Sequence, residues 1–165
     1  VRAAAMLDGP VYIRLGRAEV PMLTTPEDPF EIGKATVLRE GMDVTLIGTG
    51  IMVDKCMQAA DELKKHGIEA RVINLSTIKP LDRKTLIKAA RETGAIVTAE
   101  EHNVALGMGS AIALALVESV SVPMKRVGIP DTFGESGSPD ELLTKYGLTV
   151  EHIVDAAHEV IGRKK

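Results

Sequence analysis

Short apolar segments alternate with longer amphipathic segments from residue 34 to the end of the chain. The short segments are apolar at nearly every position, as strands are when helices cover both faces of a sheet. The longer segments repeat apolar residues every three or four positions, which is typical of helices packed on one side. The predicted strands are 35–40, 44–50, 69–75, 95–101 and 124–130, and the predicted helices are 51–66, 83–94, 110–120, 138–147 and 149–161.

This alternation predicts an α/β fold in which a mostly parallel sheet lies between two helix layers. Because only a tight turn at 41–43 joins the first two strands, we expect that pair to be antiparallel and the first strand to lie at an edge. Asp82 and Thr149 stand where helix N-caps are expected, and Gly94 stands where a helix should end. The predicted fold class is therefore a three-layer α/β/α domain with a mostly parallel five-stranded sheet and one antiparallel edge strand.

The N-terminal residues do not follow this alternation. Residues 1–7 favour a helix but have no N-cap before them, and residues 11–15 (VYIRL) are typical of a strand. Residues 18–34 contain three prolines and have neither a helical nor a strand period, which is typical of a linker. A helix without a start and an isolated strand predict that the chain is a piece of a longer protein.

We place the domain boundary within this linker, near Phe30. Residues 1–29 are then the tail of another domain plus a linker, and residues 30–165 form the α/β domain.

Composition narrows the function classes. Hydrophobic residues make up 45% of the chain and charged residues 26%, and only four residues are aromatic, so bases would find few stacking platforms. A formal net charge of −3 gives no global attraction for nucleic acid or anionic membranes. No apolar run approaches the roughly 18 residues of a membrane span. With Cys56 as the single cysteine, we expect a soluble, cytoplasmic protein without an internal disulfide.

Two glycines, Gly48 and Gly50, follow the second predicted strand and precede a helix. A dinucleotide-binding fingerprint would need a third glycine where Val53 stands. A tight turn for packing is the favoured interpretation, and an anion or monovalent-ion site at the helix N-terminus is the alternative.

The most polar cluster, Glu100 to Asn103, follows a strand's carboxyl end, where ligands of open α/β sheets usually bind. Glu101, His102 and Asn103 could fix a loop, contribute to an interface or a nearby site, or bind a metal. Side chains of consecutive extended residues point to opposite sides, so the cluster does not converge on one point. No second His or Cys stands at ligand spacing, so we predict no metal site.

Two further residues carry candidate roles. Phe133, in a glycine-containing loop, is a suitable anchor for an interface. Arg17 stands at the end of the isolated strand, and its guanidinium suits a phosphate through bidentate hydrogen bonds. Arg14, on the same strand, is expected to be an ordinary surface residue.

Five stretches resemble the C-terminal part of a thiamine-diphosphate-dependent transketolase of the kind encoded as two half-chains. They are GPVYIRLGRAEVP, GKATVLREGMDVTLIGTG, IEARVINLSTIKPLD, AEEHNVALGMGSAIA and VGIPDTFGESGSPDELLTKYGLT. The matches cover nearly the whole chain in the family's order.

The resemblance implies a transferase that moves a two-carbon ketol unit between phosphosugars in the pentose phosphate pathway. It implies that 1–29 ends the pyrimidine-binding domain and that Arg17, in RLGR, contacts the substrate phosphate. It also implies a homodimer through the C-terminal domain and an N-terminal half-chain as partner. Thiamine diphosphate and Mg²⁺ would be bound by parts not in this sequence, so we expect no catalytic residue, no bound cofactor and no activity in the chain alone.

Three alternatives stay open. Deoxyxylulose-phosphate synthases have a similar GIPD ending, and beta subunits of 2-oxo acid dehydrogenases have segments similar to GKATVLREG and GTG. The domain could instead be a non-catalytic assembly or interaction module.

Overall fold

The computed structural model describes residues 1–16 and 19–164. Six helices and five strands occur in these ranges, with the strands and the five longer helices confined to the predicted α/β domain. In chain order they are α1 (Arg2–Ala5), β1 (Thr36–Arg39), β2 (Val44–Gly48), α2 (Met52–Lys65), β3 (Ala70–Asn74), α3 (Arg83–Thr93), β4 (Ile96–Asn103), α4 (Met108–Val117), β5 (Met124–Ile129), α5 (Pro139–Lys145) and α6 (Val150–Gly162). The predicted alternation of strands and helices is confirmed.

The strands form one five-stranded sheet in the order β1-β3-β2-β4-β5. The central strand β2 pairs in parallel with β3 and β4, and β4 pairs in parallel with β5. Only β1 is antiparallel, and it lies at an edge, as predicted.

The neighbour of β1 differs from the prediction, because β1 pairs with β3 and not with β2. The connection between β1 and β2 crosses the start of β3 instead of forming a hairpin. Gly41 makes this crossing possible, since a Cβ there would lie 2.3 Å from the carbonyl carbon of Ala70. A turn length alone suggests a hairpin, whereas this close backbone contact places the two strands on either side of β3.

Side chains along the sheet alternate between two helix layers. Leu46 and Val97 pack against α2 and α6, whereas Ile47 and Ile96 pack against α3 and α4. The first helix layer contributes Met52, Cys56, Leu63, Ile153, Ala157 and Val160, and the second contributes Leu86, Ala90, Ile112 and Leu116. The sheet therefore lies between two apolar cores, which confirms the three-layer α/β/α fold.

The local signals at helix ends also have the predicted roles. The Asp82 side chain accepts a hydrogen bond from the Thr85 amide, and the Thr149 hydroxyl accepts one from the His152 amide. Gly94 ends α3 with a φ of +68°, which favours glycine.

The N-terminal segment, residues 1–29, differs most from the prediction in its described part, 1–16 and 19–29. Its helix is limited to Arg2–Ala5, and residues 11–16 have no regular secondary structure and are exposed. The predicted strand at 11–15 is therefore wrong for the described chain, because no strand among the described residues pairs with it. Over residues 1–16 and 19–164, we found no helix with the length and apolar character needed to cross a membrane.

Candidate functional site at the carboxyl edge of the sheet

A buried carboxylate organises the end of β4. Glu100 is 2% exposed, and its two oxygens accept hydrogen bonds from the amides of Met108 (2.6 Å) and Gly109 (2.8 Å). These amides belong to the first turn of α4, where a helix has unpaired N–H groups and a partial positive charge. Glu100 therefore caps α4 across the β4–α4 loop and stabilises this junction.

Two glycines let the helix approach that carboxylate. A Cβ at Gly107 would lie 2.2 Å from Glu100 Oε2, and one at Gly109 would lie 2.6 Å from Thr98 Oγ1. Both distances are far below an ordinary contact, so any larger residue would push α4 away from β4. The spacing of these glycines follows from close packing of helix and strand.

Asn103 joins this loop to the segment after β5. Its Nδ2 donates to Asp131 Oδ1 at 3.0 Å, and its Oδ1 accepts from the Ala105 amide at 2.7 Å. His102 is exposed, with Nδ1 3.2 Å from the Asn103 carbonyl oxygen. Its imidazole is thus accessible at the rim of the sheet.

Glu101 contacts the N-terminal segment. Arg14 Nη1 donates to the Glu101 carbonyl oxygen at 3.0 Å, and Arg14 Nη2 lies 3.6 Å from Glu101 Oε2. Sequence reasoning missed this role of Arg14, since nothing in the local pattern points to a partner 87 residues away. The contact places the exposed segment 11–16 at the carboxyl end of β4. Arg17, the predicted phosphate ligand, lies outside the described residues.

Phe133 projects from the loop that follows β5 and is 95% exposed. Tyr146 donates its hydroxyl to the Phe133 carbonyl oxygen at 3.3 Å, and Lys145 Nζ lies 2.6 Å from both oxygens of Glu135. The hydrogen bond with Glu135 raises the pKa of Lys145 above its usual value. These contacts hold the main chain of the loop while its phenyl ring stays in solvent.

The Gly48–Gly50 turn makes a close contact with α2. A Cβ at Gly48 would lie 2.9 Å from the Cα of Val53, and Gly50 has a φ of +57°. Packing and turn geometry therefore account for both glycines. An ion bound at this turn stays a prediction.

Three of the four polar residues of the cluster have separate partners: Glu100 faces α4, Glu101 faces Arg14, and Asn103 faces Asp131. Within the described part of the chain, the fourth, His102, contacts only the carbonyl oxygen of Asn103. The arrangement suits holding loops and presenting a surface. It brings no acid and base together across an enclosed cavity.

A Mg²⁺–diphosphate group needs several oxygen ligands around its metal ion. Within 1–16 and 19–164, no three His, Cys, Asp or Glu side chains are close enough to share a metal ion. Two surface clefts have volumes of about 450 and 440 Å³. Each cleft contains an ion pair, Lys125 with Glu159 in one and Arg71 with Glu92 in the other. The described residues therefore do not fit this cofactor.

The fold places the chain in the class of doubly wound α/β domains, with one antiparallel edge strand and polar loops at the carboxyl edge of the sheet. A family model described as "Transketolase, C-terminal domain" matches residues 33–153. The chain belongs to the transketolase C-terminal domain family, which confirms the resemblance seen in the sequence.

Several known proteins are similar over nearly the whole chain. A 6-deoxy-6-sulfo-D-fructose transketolase subunit, SqwH, from Clostridium sp. (strain MSTE9) is 51% identical over 157 residues, covering 95% of this chain and 49% of the subunit. A 1-deoxy-D-xylulose-5-phosphate synthase from Trichormus variabilis (strain ATCC 29413 / PCC 7937) is 44% identical over 161 residues, covering 95% of this chain and 25% of the synthase.

A solved structure described as "Split gene transketolase, inactive beta4 tetramer" superposes with a TM-score of 0.96 and 49% identity, covering 99% of this chain and 54% of that chain. The present chain thus spans about half the length of the split-transketolase chains and a quarter of the synthase.

Proposed function

We propose that this chain is the C-terminal portion of a split transketolase that transfers a two-carbon ketol unit between sugars. The observation that carries the proposal is 51% identity, along 95% of the chain, to a protein named as a transketolase subunit. The TM-score of 0.96 to a split-gene transketolase supports the same assignment. In the reaction, a six-carbon ketose would become a four-carbon aldose, and a three-carbon aldose would become a five-carbon ketose.

The N-terminal segment is proposed to complete a second domain, the pyrimidine-binding domain, with residues 30–165 as the C-terminal domain. Its apolar side chains support this, since Tyr12 is 89% exposed and Leu15 is 76% exposed. Exposed apolar residues in succession are expected to be covered by another part of an assembly. In that setting residues 11–15 could pair with strands of the second domain.

Arg17 is proposed to bind the anionic end of the sugar. Arg14, three residues earlier in the chain, contacts Glu101 at the carboxyl edge of the sheet, the side where ligands of α/β domains bind, and this supports the proposal. A sulfofructose has a sulfonate where a phosphosugar has a phosphate, and a guanidinium can hydrogen-bond the oxygens of either group. The substrate class proposed is therefore a sugar with a terminal oxyanion, with a phosphosugar as the first candidate.

Transketolases and deoxyxylulose-phosphate synthases depend on thiamine diphosphate. We propose that thiamine diphosphate and Mg²⁺ are bound in the assembled enzyme by an N-terminal half-chain or by missing N-terminal domains. The lack of a suitable acidic cluster among residues 1–16 and 19–164 supports this division. The chain alone is then expected to bind no cofactor and to be inactive.

We also propose that the chain associates with copies of itself. The similar split-gene structure is described as an inactive tetramer of one chain, which supports self-association without the other half. The loop residues Glu101, His102, Asn103 and Phe133 are proposed to contribute to an interface or to lie near the active site. A cytoplasmic location and a place in the pentose phosphate pathway are parts of the same proposal.

The test combines this chain with an N-terminal transketolase half-chain, thiamine diphosphate and Mg²⁺. Fructose 6-phosphate or 6-deoxy-6-sulfofructose serves as donor and glyceraldehyde 3-phosphate as acceptor. We expect a five-carbon ketose phosphate only when both chains are present, and calorimetry should detect cofactor binding only to the mixture. Tight cofactor binding by this chain alone would contradict the proposal.

A second candidate function is deoxyxylulose-phosphate synthesis, which the 44% identity to a synthase favours. That reaction joins the two-carbon unit of pyruvate to glyceraldehyde 3-phosphate and releases CO₂. The same mixture supplied with pyruvate distinguishes the two, because CO₂ release without ketose-dependent transfer would favour the synthase. If the two chains assemble but the mixture forms neither the ketose product nor CO₂, the result would favour an interaction module.

A further inference from the structure

Helix α4 is apolar on both of its faces. Its ten residues include no charged side chain. One face, with Met108, Ile112 and Leu116, packs into the core between α3 and the sheet. A helix that is apolar all round is usually buried on all sides, so the other face needs a covering partner.

That other face carries a stripe at helical spacing, which we define as Ser110, Ala113, Leu114 and Val117. Their spacing of i, i+3, i+4 and i+7 places all four on one side of the helix. Leu114 is 63% exposed and Val117 is 76% exposed. The Ser110 hydroxyl donates to the Ala105 carbonyl oxygen at 2.8 Å, so burying it would leave no unpaired donor.

We propose that this α4 stripe is the contact through which two copies of the chain associate, with the two α4 helices antiparallel across a two-fold axis. The proposal rests on the self-association proposed above and names its surface. In a two-fold contact the same patch is used by both copies, so the patch must be complementary to itself.

The stripe meets that condition in shape. Its N-terminal half has the small residues Ser110 and Ala113, and its C-terminal half has the larger Leu114 and Val117. Antiparallel pairing places the larger half of one helix against the smaller half of the other. Such alternation of large and small residues allows helices to interdigitate without voids.

The stripe also meets the condition in charge. Arg126 lies at the N-terminal end, where its Nη1 donates to the Ser110 hydroxyl at 2.8 Å. Glu118 follows the C-terminal end and pairs with Arg83 at 2.6 Å. Antiparallel pairing brings Arg126 of one copy toward the Arg83–Glu118 ion pair of the other, whereas parallel pairing would place the two Arg126 side chains opposite each other.

Position in the fold favours a second copy over an N-terminal half-chain. The N-terminal segment contacts the domain at the carboxyl end of β4, through Arg14 and Glu101. Helix α4 runs back from that edge, so Leu114 and Val117 lie toward the opposite end of the sheet. A half-chain that packs against the N-terminal segment would therefore contact the carboxyl edge of the sheet and not the end where Leu114 and Val117 lie.

Cysteine cross-linking tests the contact directly. The single native cysteine, Cys56, is fully buried, and burial raises the pKa of its thiol to about 12, so it will not compete. Leu114→Cys is expected to form a disulfide-linked dimer of two copies under mild oxidation, seen on a non-reducing gel. Met42→Cys, 62% exposed and beside the β1 end of the sheet, is the matched control and should stay monomeric on the gel.

A second measurement does not depend on disulfide geometry. Leu114→Glu places the introduced carboxylates of the two copies close together, and their repulsion should separate the copies. The mass measured by light scattering should then fall by half relative to the wild type. Met42→Glu should keep the wild-type mass. Circular dichroism of each variant shows whether the fold is retained, and the exposure of Leu114 favours retention.

The outcomes separate this proposal from the proposed function. A monomeric wild type, an unchanged mass for Leu114→Glu, or cross-linking of Leu114→Cys to the N-terminal half-chain in place of a second copy would overturn the α4 contact. Ketol transfer is measured independently in the two-chain mixture. A cross-linked dimer without ketol transfer would support the α4 contact and contradict the transketolase assignment. Ketol transfer together with an unchanged mass for Leu114→Glu would support the transketolase assignment and contradict the α4 contact.

Discussion

Arg14 and Glu101 join the N-terminal segment to the α/β domain. The guanidinium donates to the Glu101 main-chain carbonyl oxygen at 3.0 Å and lies 3.6 Å from its carboxylate. Since most side chains of the N-terminal segment are exposed, this contact accounts for how residues 11–16 are held against the end of β4.

Replacing Arg14 is expected to loosen the segment without unfolding the domain. Arg14→Ala should speed hydrogen–deuterium exchange in residues 11–16 and at the β4–α4 loop. Because both partners are partly exposed, the global free energy of unfolding should change by less than about 1 kcal/mol. Arg83→Ala removes a similarly exposed pair with Glu118 and should leave exchange in the segment unchanged. Equal exchange in both variants would contradict the role of Arg14.

Removing the Glu100 carboxylate is expected to destabilise the domain. Glu100→Ala leaves the Met108 and Gly109 amides without their acceptor in a buried place, which should cost about 2–4 kcal/mol in urea denaturation. Glu101→Ala is the matched control, since its carboxylate is exposed, and its effect should stay below about 1 kcal/mol. Similar decreases in the free energy of unfolding of the two variants would show that the Glu100 cap of α4 contributes little to stability.

Two helical glycines are expected to respond oppositely to alanine. Helix propensity alone favours alanine by up to about 1 kcal/mol. Gly162→Ala meets no atom within 4 Å and should be neutral or slightly stabilising, whereas Gly109→Ala would lie 2.6 Å from Thr98 Oγ1 and should lower the melting temperature clearly. A stable Gly109→Ala protein would mean that α4 can move away from β4 at small cost.

Asp82 is expected to contribute to stability in a pH-dependent way. Burial acts to raise the pKa of Asp82, but hydrogen bonds from the Ala35 amide and from the Thr85 amide and hydroxyl outweigh it and lower the pKa. Because the folded pKa lies below the unfolded value of about 3.9, the contribution is complete above that pH and is lost as the pH falls through the folded pKa.

The measurement is urea denaturation between pH 7 and acid, comparing wild type with Asp82→Asn. The wild type should be more stable at pH 7, and the difference should shrink in acid. Asp140→Asn, at an exposed position in α5, is the control. A constant difference between wild type and Asp82→Asn at all pH values would contradict the linkage.

Arg17 is expected to act on substrate binding in the assembled enzyme. Arg17→Ala should lower kcat/KM for an oxyanion-bearing sugar by about 10- to 100-fold, mainly through KM, because a charge-assisted hydrogen bond is lost. Arg2→Ala, in the same segment, is the control. Unchanged kinetics for Arg17→Ala would remove Arg17 from the substrate site.

Local features were predictable because neighbours in the chain decide them. The periods of the strands and helices, the Asp82 and Thr149 caps and the helix end at Gly94 follow from residues only a few positions apart. The fold class followed from the same alternation. The family followed from motifs spread along the whole chain.

Long-range pairing was decided by the tertiary structure alone. Strand β1 lies beside β3 because Gly41 lets the connection to β2 pass close to the main chain of Ala70. The length of the turn between β1 and β2 does not reveal this contact. Likewise, Glu100 caps α4, and Arg14 meets Glu101 across 87 residues. The sequence by itself determined which segments become strands and helices, since that depends on local period and capping. The partners of buried side chains, and of side chains far apart in the sequence, depend on which segments meet in space, and only the packed fold decides that.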